Sequence, residues 1–141
     1  MQNIQDQLNT IIKLFNNGEK QNAFNKIDLL LQTNEKNLEF LLLHAKICIN
    51  LNKINKANYS LEKILQLDHK NYEALKLIYA NYLKTNKIDL AKKYIDKLLT
   101  LEKNSYEFLR DKAFIEYLNN DYLVSKKYIK IALKQNSEEV F

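Results

Sequence analysis

The amino-acid sequence repeats itself every 34 residues, and no other feature narrows the fold as much. Ala23, Ala57, Ala91 and Ser125 stand 34 apart, as do Ile27, Leu61, Ile95 and Ile129, and then Leu31, Leu65, Leu99 and Leu133. A fixed period of this length means one supersecondary unit copied along the chain. Each copy alone buries too little apolar surface to be stable, whereas stacked copies build a continuous core. The three columns run small, large, large along one helix face, the small residue admitting a neighbouring backbone closely. A four-helix bundle has no reason to keep its columns at constant spacing, so the period favours a solenoid.

Polar columns mark where the helices begin and end. Asn3, Asn37, Asn71 and Ser105 share the 34-residue spacing and precede helical stretches, where a short polar side chain accepts a hydrogen bond from an orphan backbone N–H. Gly18, Asn52, Asn86 and Asn120 form another column at the end of the same helix, and Gly and Asn tolerate the left-handed conformation found there. Proline is absent and Gly18 is the single glycine, so little else interrupts a helix. Two helices per copy are expected, over 4–16 and 20–33, 38–51 and 54–67, 72–85 and 88–101, and 106–119 and 122–135.

With these columns in place, the chain resembles the tetratricopeptide repeat family over essentially its full length. The third copy carries the pattern best, through Leu75, Ile78, Tyr79, Tyr82, Ala91, Ile95 and Leu98. The second copy gives Leu41, His44, Ala45, Cys48, Ala57, Leu61 and Ile64. The resemblance implies an all-α, right-handed superhelical array, an αα solenoid of four helix-turn-helix repeats. It implies one domain over 1–141, with repeats at about 4–37, 38–71, 72–105 and 106–139. The family's proline near the repeat end is replaced by Glu35, His69, Lys103 and Ser137. Repeat one is polar at Gln7 and Thr10, as a terminal repeat facing water should be. Repeat four carries Lys112 and Glu116 where apolar residues are expected, while Phe114 lies two positions and Tyr117 one position along, so its first helix is expected to be rotated or shifted.

The sequence offers no catalytic constellation. It has no Gly-rich phosphate loop and no Cys-x-x-Cys, and its histidines are His44 and His69. His44 and Cys48, one helical turn apart, could ligate a metal together, but both fall on inward packing positions without a further ligand, and a core pair is the plainer reading. No metal, cofactor or catalytic residue is therefore expected, and an enzyme is not. Glu39, Glu73 and Glu107 each lie two residues after an N-cap, where the helix dipole favours an acid. The formal charge of +5 is spread evenly, with nine Lys against seven acids up to Asn71 and thirteen Lys and Arg against ten acids thereafter. Lys92–Lys93 and Lys126–Lys127 recur 34 apart on second helices and read as a solvated face, so nucleic acid is not an expected partner. The nine tyrosines mostly fall in packing columns. The N-terminus has no basic stretch leading into an apolar one, and the apolar run from Leu38 to Leu51 is broken by His44, Lys46 and Asn50. Neither signal peptide nor membrane partner is expected, and the lone Cys48 suits a reducing cytoplasm.

In proteins this chain resembles, first helices line a concave binding surface. Carried over, that surface would comprise Leu8, Ile12 and Phe15, then Leu42, Lys46 and Ile49, then Lys76, Ala80, Leu83 and Lys84, then Arg110, Phe114 and Tyr117. An apolar half would grade into a basic, aromatic half suited to an extended or helical peptide with apolar anchors and an acidic end. The alternative is that several of these apolar groups only pack helix on helix. The clamp for a terminal carboxylate used by the family's chaperone-tail-binding branch is missing, because its first Lys and Asn map to Leu8 and Ile12. The implied function is a protein- or peptide-binding scaffold. Such arrays are also found fused to sulfotransferases and glycosyltransferases, so a repeat region serving a catalytic domain is the alternative. The last helix is expected to end near Gln135 and to expose Tyr128, Ile131 and Ala132, which suggests a fragment of a longer protein or an end-to-end homodimer through this uncapped repeat.

Overall fold

A computed structural model describes residues 3–138. They form eight α-helices: α1 (Ile4–Asn16), α2 (Lys20–Thr33), α3 (Leu38–Asn50), α4 (Ile54–Leu67), α5 (Tyr72–Lys84), α6 (Ile88–Leu101), α7 (Tyr106–Leu118) and α8 (Tyr122–Glu138). No strand occurs among the described residues. The expected helices are all present, most within a residue of their expected bounds.

The capping columns act as their chemistry requires. Asn3, Asn37 and Asn71 each accept a hydrogen bond through Oδ1 from the backbone N–H three residues on, at 2.8, 3.0 and 3.0 Å. The Ser105 hydroxyl does the same for Phe108 N–H at 3.4 Å. At the other end of each first helix, Gly18, Asn52, Asn86 and Asn120 have φ of 87°, 56°, 56° and 62°. The following residues, Glu19, Lys53, Lys87 and Asp121, donate back to the carbonyls of Leu14, Cys48, Tyr82 and Glu116 at 2.7–2.9 Å. These are Schellman closures, and the left-handed residue makes each one possible.

The turns between repeats are built otherwise. No residue there has positive φ; Asn34, Asp68 and Glu102 end their helices in extended or bridging conformations. They close through short-range bonds instead: the carbonyls of Asn34, Asp68 and Glu102 accept from the N–H of Asn37, Asn71 and Ser105 at 3.0–3.3 Å, and the Asp68 carboxylate also accepts from Lys70 N–H and the Asn71 side-chain amide. In the fourth copy, where no ninth helix is described, α8 runs through Asn136 and Ser137 to Glu138 instead of turning near Gln135. The end of the fourth repeat, expected near 139, lies outside the described residues.

By contacts the chain falls into two compact units, Met1–Ala74 and Leu75–Phe141. In the first, Leu8, Ile11, Ala23, Phe24, Ile27, Phe40, Ile47, Cys48 and Ala57 form one buried cluster. In the second, Leu75, Ile78, Ala91, Ile95, Leu98, Leu109, Ala113 and Ile115 are buried. The alanine column and the Ile27, Leu61 and Ile95 column lie in the core as expected. The Leu31, Leu65 and Leu99 column is only half-buried, because the residue before it in two copies, Ile64 and Leu98, points inward instead. The expected exposed trio on α8 is also corrected: Ala132 is buried and Tyr128 and Ile131 are half-buried against the rest of the unit. Ser125, on that same inner face, donates its hydroxyl to the Ala113 carbonyl of α7 at 2.8 Å.

Candidate binding surfaces

The expected groove residues in the first unit divide into those that can meet a ligand and those that cannot. Leu8 is 6% exposed and belongs to the core cluster, so it offers no contact surface and is withdrawn from the groove. Phe15 and Ile49 are half-buried against the same core, while Leu42 is half-buried and Ile12 exposed. Lys46 is exposed and pairs with Glu73 at 2.5 Å, a surface ion pair that offsets its charge.

In the second unit Ala80, Lys84 and Arg110 are exposed. Lys76 is half-buried, with Nζ 5.9 Å from the Phe108 ring centroid. Arg110 holds the carboxylate of Asp111 through Nη2 at 2.8 Å and Nε at 3.1 Å. Phe114 and Tyr117 expose 50% and 57% of their surface. Tyr117 meets the Tyr122 ring at 5.6 Å between centroids.

Helix α7 is therefore inverted, with two aromatic side chains outside and two charges inside. Its first-helix register is intact: Lys112 and Glu116 are buried in the same columns as His44 and Cys48, and the helix is not rotated as expected. Ion pairing explains why. Lys112 Nζ lies 2.6 Å from Asp96 and 2.6 Å from Glu116, and Lys92 Nζ lies 3.0 Å from the other Glu116 oxygen. Burial alone would lower the Lys112 pKa, but hydrogen bonds to Asp96 and Glu116 outweigh it and hold the ammonium charged. Burial likewise pushes Glu116 up, yet its bonds to Lys112 and Lys92 bring it below the usual carboxylate value. Charges satisfied in this way can occupy a core position that periodicity reserves for apolar residues.

A separate cleft of about 500 Å³ opens in the first unit, between α2 and α4. Leu41, His44 and Ser60 lie at its base, Asp28 and Glu35 on the α2 side, and Lys56, Tyr59 and Lys63 on the α4 side. His44 Nδ1 is 2.7 Å from Ser60 Oγ, and its Nε2 is 3.5 Å from Asp28. Burial lowers the His44 pKa against the opposing pull of Asp28, with Lys56 adding to the lowering, so the imidazole is neutral at pH 7. A neutral ring donating toward Asp28 accepts from the Ser60 hydroxyl, which satisfies both nitrogens. Ser60 and Cys48 are buried, and burial pushes the Cys48 thiol up to about 11, which disfavours the thiolate. Among the described residues, no group of three or more His, Cys, Asp or Glu is placed to hold a metal ion.

The cleft escaped sequence reasoning because its walls come from second helices, where Asp28, Lys56 and Tyr59 look like ordinary solvated positions. The available signal was the pairing of polar residues at core columns, His44 with Ser60. No helix among the described residues is long and apolar enough to cross a membrane.

No family model matches the sequence, and no curated protein does. Solved structures do match. A crystal structure of MamA protein is 13% identical and superposes with a TM-score of 0.84 over 98% of this chain and 75% of its own. MamA AMB-1 gives 15% identity and a TM-score of 0.85 over 96% of this chain and 74% of its own. MamA from residue 41 onward, of Desulfovibrio magneticus RS-1, gives 13% and 0.79 over 95% and 76%. MamA is a tetratricopeptide-like helical repeat protein, and at this identity the likeness shows a shared fold: this chain has a tetratricopeptide-type helical repeat fold.

Proposed function

We propose that the chain is a protein- or peptide-binding scaffold whose first helices take a peptide with apolar anchors and an acidic end. The inversion of α7 is the observation that carries this reading. Exposing Phe114 and Tyr117 while burying Lys112 and Glu116 is costly for a helix whose only task is packing, and exposed large apolar groups beside cations are what a binding face requires. Around them stand Arg110 on the same helix and Lys76 and Lys84 on α5, all in the second unit. A ligand aromatic or aliphatic group would lie on Phe114, and its carboxylates would meet the cations.

Selection from a displayed random peptide library, followed by fluorescence anisotropy on the enriched sequences, tests it. The selected peptides should share apolar anchors next to Asp, Glu or a free carboxylate. Lys76→Glu with Arg110→Glu should weaken them at least tenfold without loss of helicity, and Phe114→Ser should do likewise. Enriched peptides without acids, or unchanged affinity after the double charge reversal, would sink the proposal.

A further inference from the structure

The ion pairs of the second unit recur in position, and the recurrence reaches α8. Where α6 meets α7, Asp96 faces Lys112 and Lys92 faces Glu116, on either side of the fully buried Ile95. Where α2 meets α3, the residue in the Asp96 column, Asp28, faces the residue in the Lys112 column, His44. The same two columns thus carry a polar contact at both of these junctions, while on α4 and α5 they hold Glu62 and Ile78.

One period on from α6, helix α8 repeats this face with different charges. Lys126 stands in the Lys92 column, Ile129 in the Ile95 column, Lys130 in the Asp96 column and Leu133 in the Leu99 column. All four are exposed, Ile129 at 47% and Leu133 at 58%, whereas Ile27, Leu61 and Ile95 are buried under neighbouring helices. With Lys127 and Lys134 the helix carries four lysines, and Glu138 is its single acid.

We infer that this face is a docking site for an acidic amphipathic helix of another protein, seated on α8 as α7 is seated on α6. A helix in that place would set one residue against Lys130 and another, four positions later, against Lys126. Both must be acids for the pairing to close, and an apolar strip beside them would cover Ile129 and Leu133. A second copy of this chain does not meet the requirement. Its first helices offer Thr10 and Leu14, His44 and Cys48, Ile78 and Tyr82, or Lys112 and Glu116 in these columns, and none supplies two acids. Lys112 would oppose Lys130 directly. Charge therefore selects a different partner, and the site is independent of the groove on α5 and α7.

The test uses the whole chain and two synthetic helical peptides, identical except for Glu or Lys at two positions four apart beside a leucine strip. Anisotropy titration should show the Glu peptide binding at least tenfold tighter than the Lys peptide. Lys126→Glu with Lys130→Glu should reverse that order, and Ile129→Ser should weaken both, with circular dichroism unchanged. Lys76→Glu with Arg110→Glu should leave the Glu peptide's affinity as it was, which separates this site from the groove. The inference is overturned if neither peptide binds or if the charge reversal does not invert the preference. It is equally overturned if the chain dimerises through this face in a way Ile129→Ser abolishes, or if vesicles containing phosphatidylserine bind Lys126 and Lys130 in place of the peptide.

Discussion

His44 shows at the scale of one residue how a polar group survives in a repeat core, and what that costs. Its ring is buried with both nitrogens satisfied, Nδ1 by Ser60 and Nε2 by Asp28, and Cys48 Sγ lies 3.5 Å from Nε2. The charged groups that act on it oppose each other: Asp28 favours the imidazolium, Lys56 disfavours it, and burial, the largest effect, disfavours it too. The folded pKa is therefore below 6.5, so between the two values the unfolded chain binds more protons than the folded one. The sign follows directly. The contribution of His44 to stability is fully present above 6.5 and is lost as pH falls through its folded value. Urea denaturation followed by circular dichroism should show the midpoint dropping as pH falls from about 7.5 to about 5. Replacing His44 by Leu together with Ser60 by Ala, so that no hydroxyl is orphaned, should remove most of that slope. An equal slope in the double variant would show that exposed carboxylates, not His44, set the acid sensitivity.

Among the elements, helix ends were legible in the sequence and helix faces were less so. The four Schellman closures and the N-caps depend on chemistry within five residues, so a column of Asn or Gly at fixed spacing is nearly sufficient to locate them. Asn86 shows what the left-handed position asks for. A residue with a Cβ pays about 1–2 kcal/mol there, and Asn less through its local hydrogen bonding. Asn86→Gly should hold or slightly raise the melting temperature, whereas Asn86→Val should lower stability by about 1–2 kcal/mol; thermal melts of the pair decide it, and equal melts would mean the closure is not needed to end α5. The face of α7 was misread for a different reason. Periodicity reserves the columns of Lys112 and Glu116 for apolar residues, so charges there read as a rotation of the helix; their partners, Asp96 and Lys92, are 16 and 24 residues away, and no local pattern announces such pairing. The groove suffered in the same way at Leu8: its column faces a ligand in relatives by resemblance, yet here it is buried as part of the core cluster. On α8 the columns were correct and the exposure was not, since Ile129 and Leu133 hold core identities but lack a covering helix among the described residues.

For the molecule as a whole, the 34-residue period makes stability close to a sum of repeat and neighbour terms, because each helix packs mainly on those adjacent in sequence. Damage should then stay near where it is made. The two compact units, Met1–Ala74 and Leu75–Phe141, allow this to be tested with one substitution in each. Ala57 is fully buried on α4, and Ala57→Leu forces extra methylenes into a filled space, a cost of about 1–3 kcal/mol. Glu116 is buried on α7, and Glu116→Ala leaves Lys112 with Asp96 alone and Lys92 without its carboxylate, a cost of about 3–5 kcal/mol where a buried pair is broken. Replacing Lys112 by Met along with Glu116 by Leu removes both charges and should recover most of that loss. Hydrogen exchange resolved along the chain should show Ala57→Leu lowering protection in α2–α4 while α7 and α8 keep theirs, and Glu116→Ala doing the reverse. Uniform loss of protection from either substitution would mean that all eight helices open as one cooperative block, and additive repeat energetics would not describe this chain.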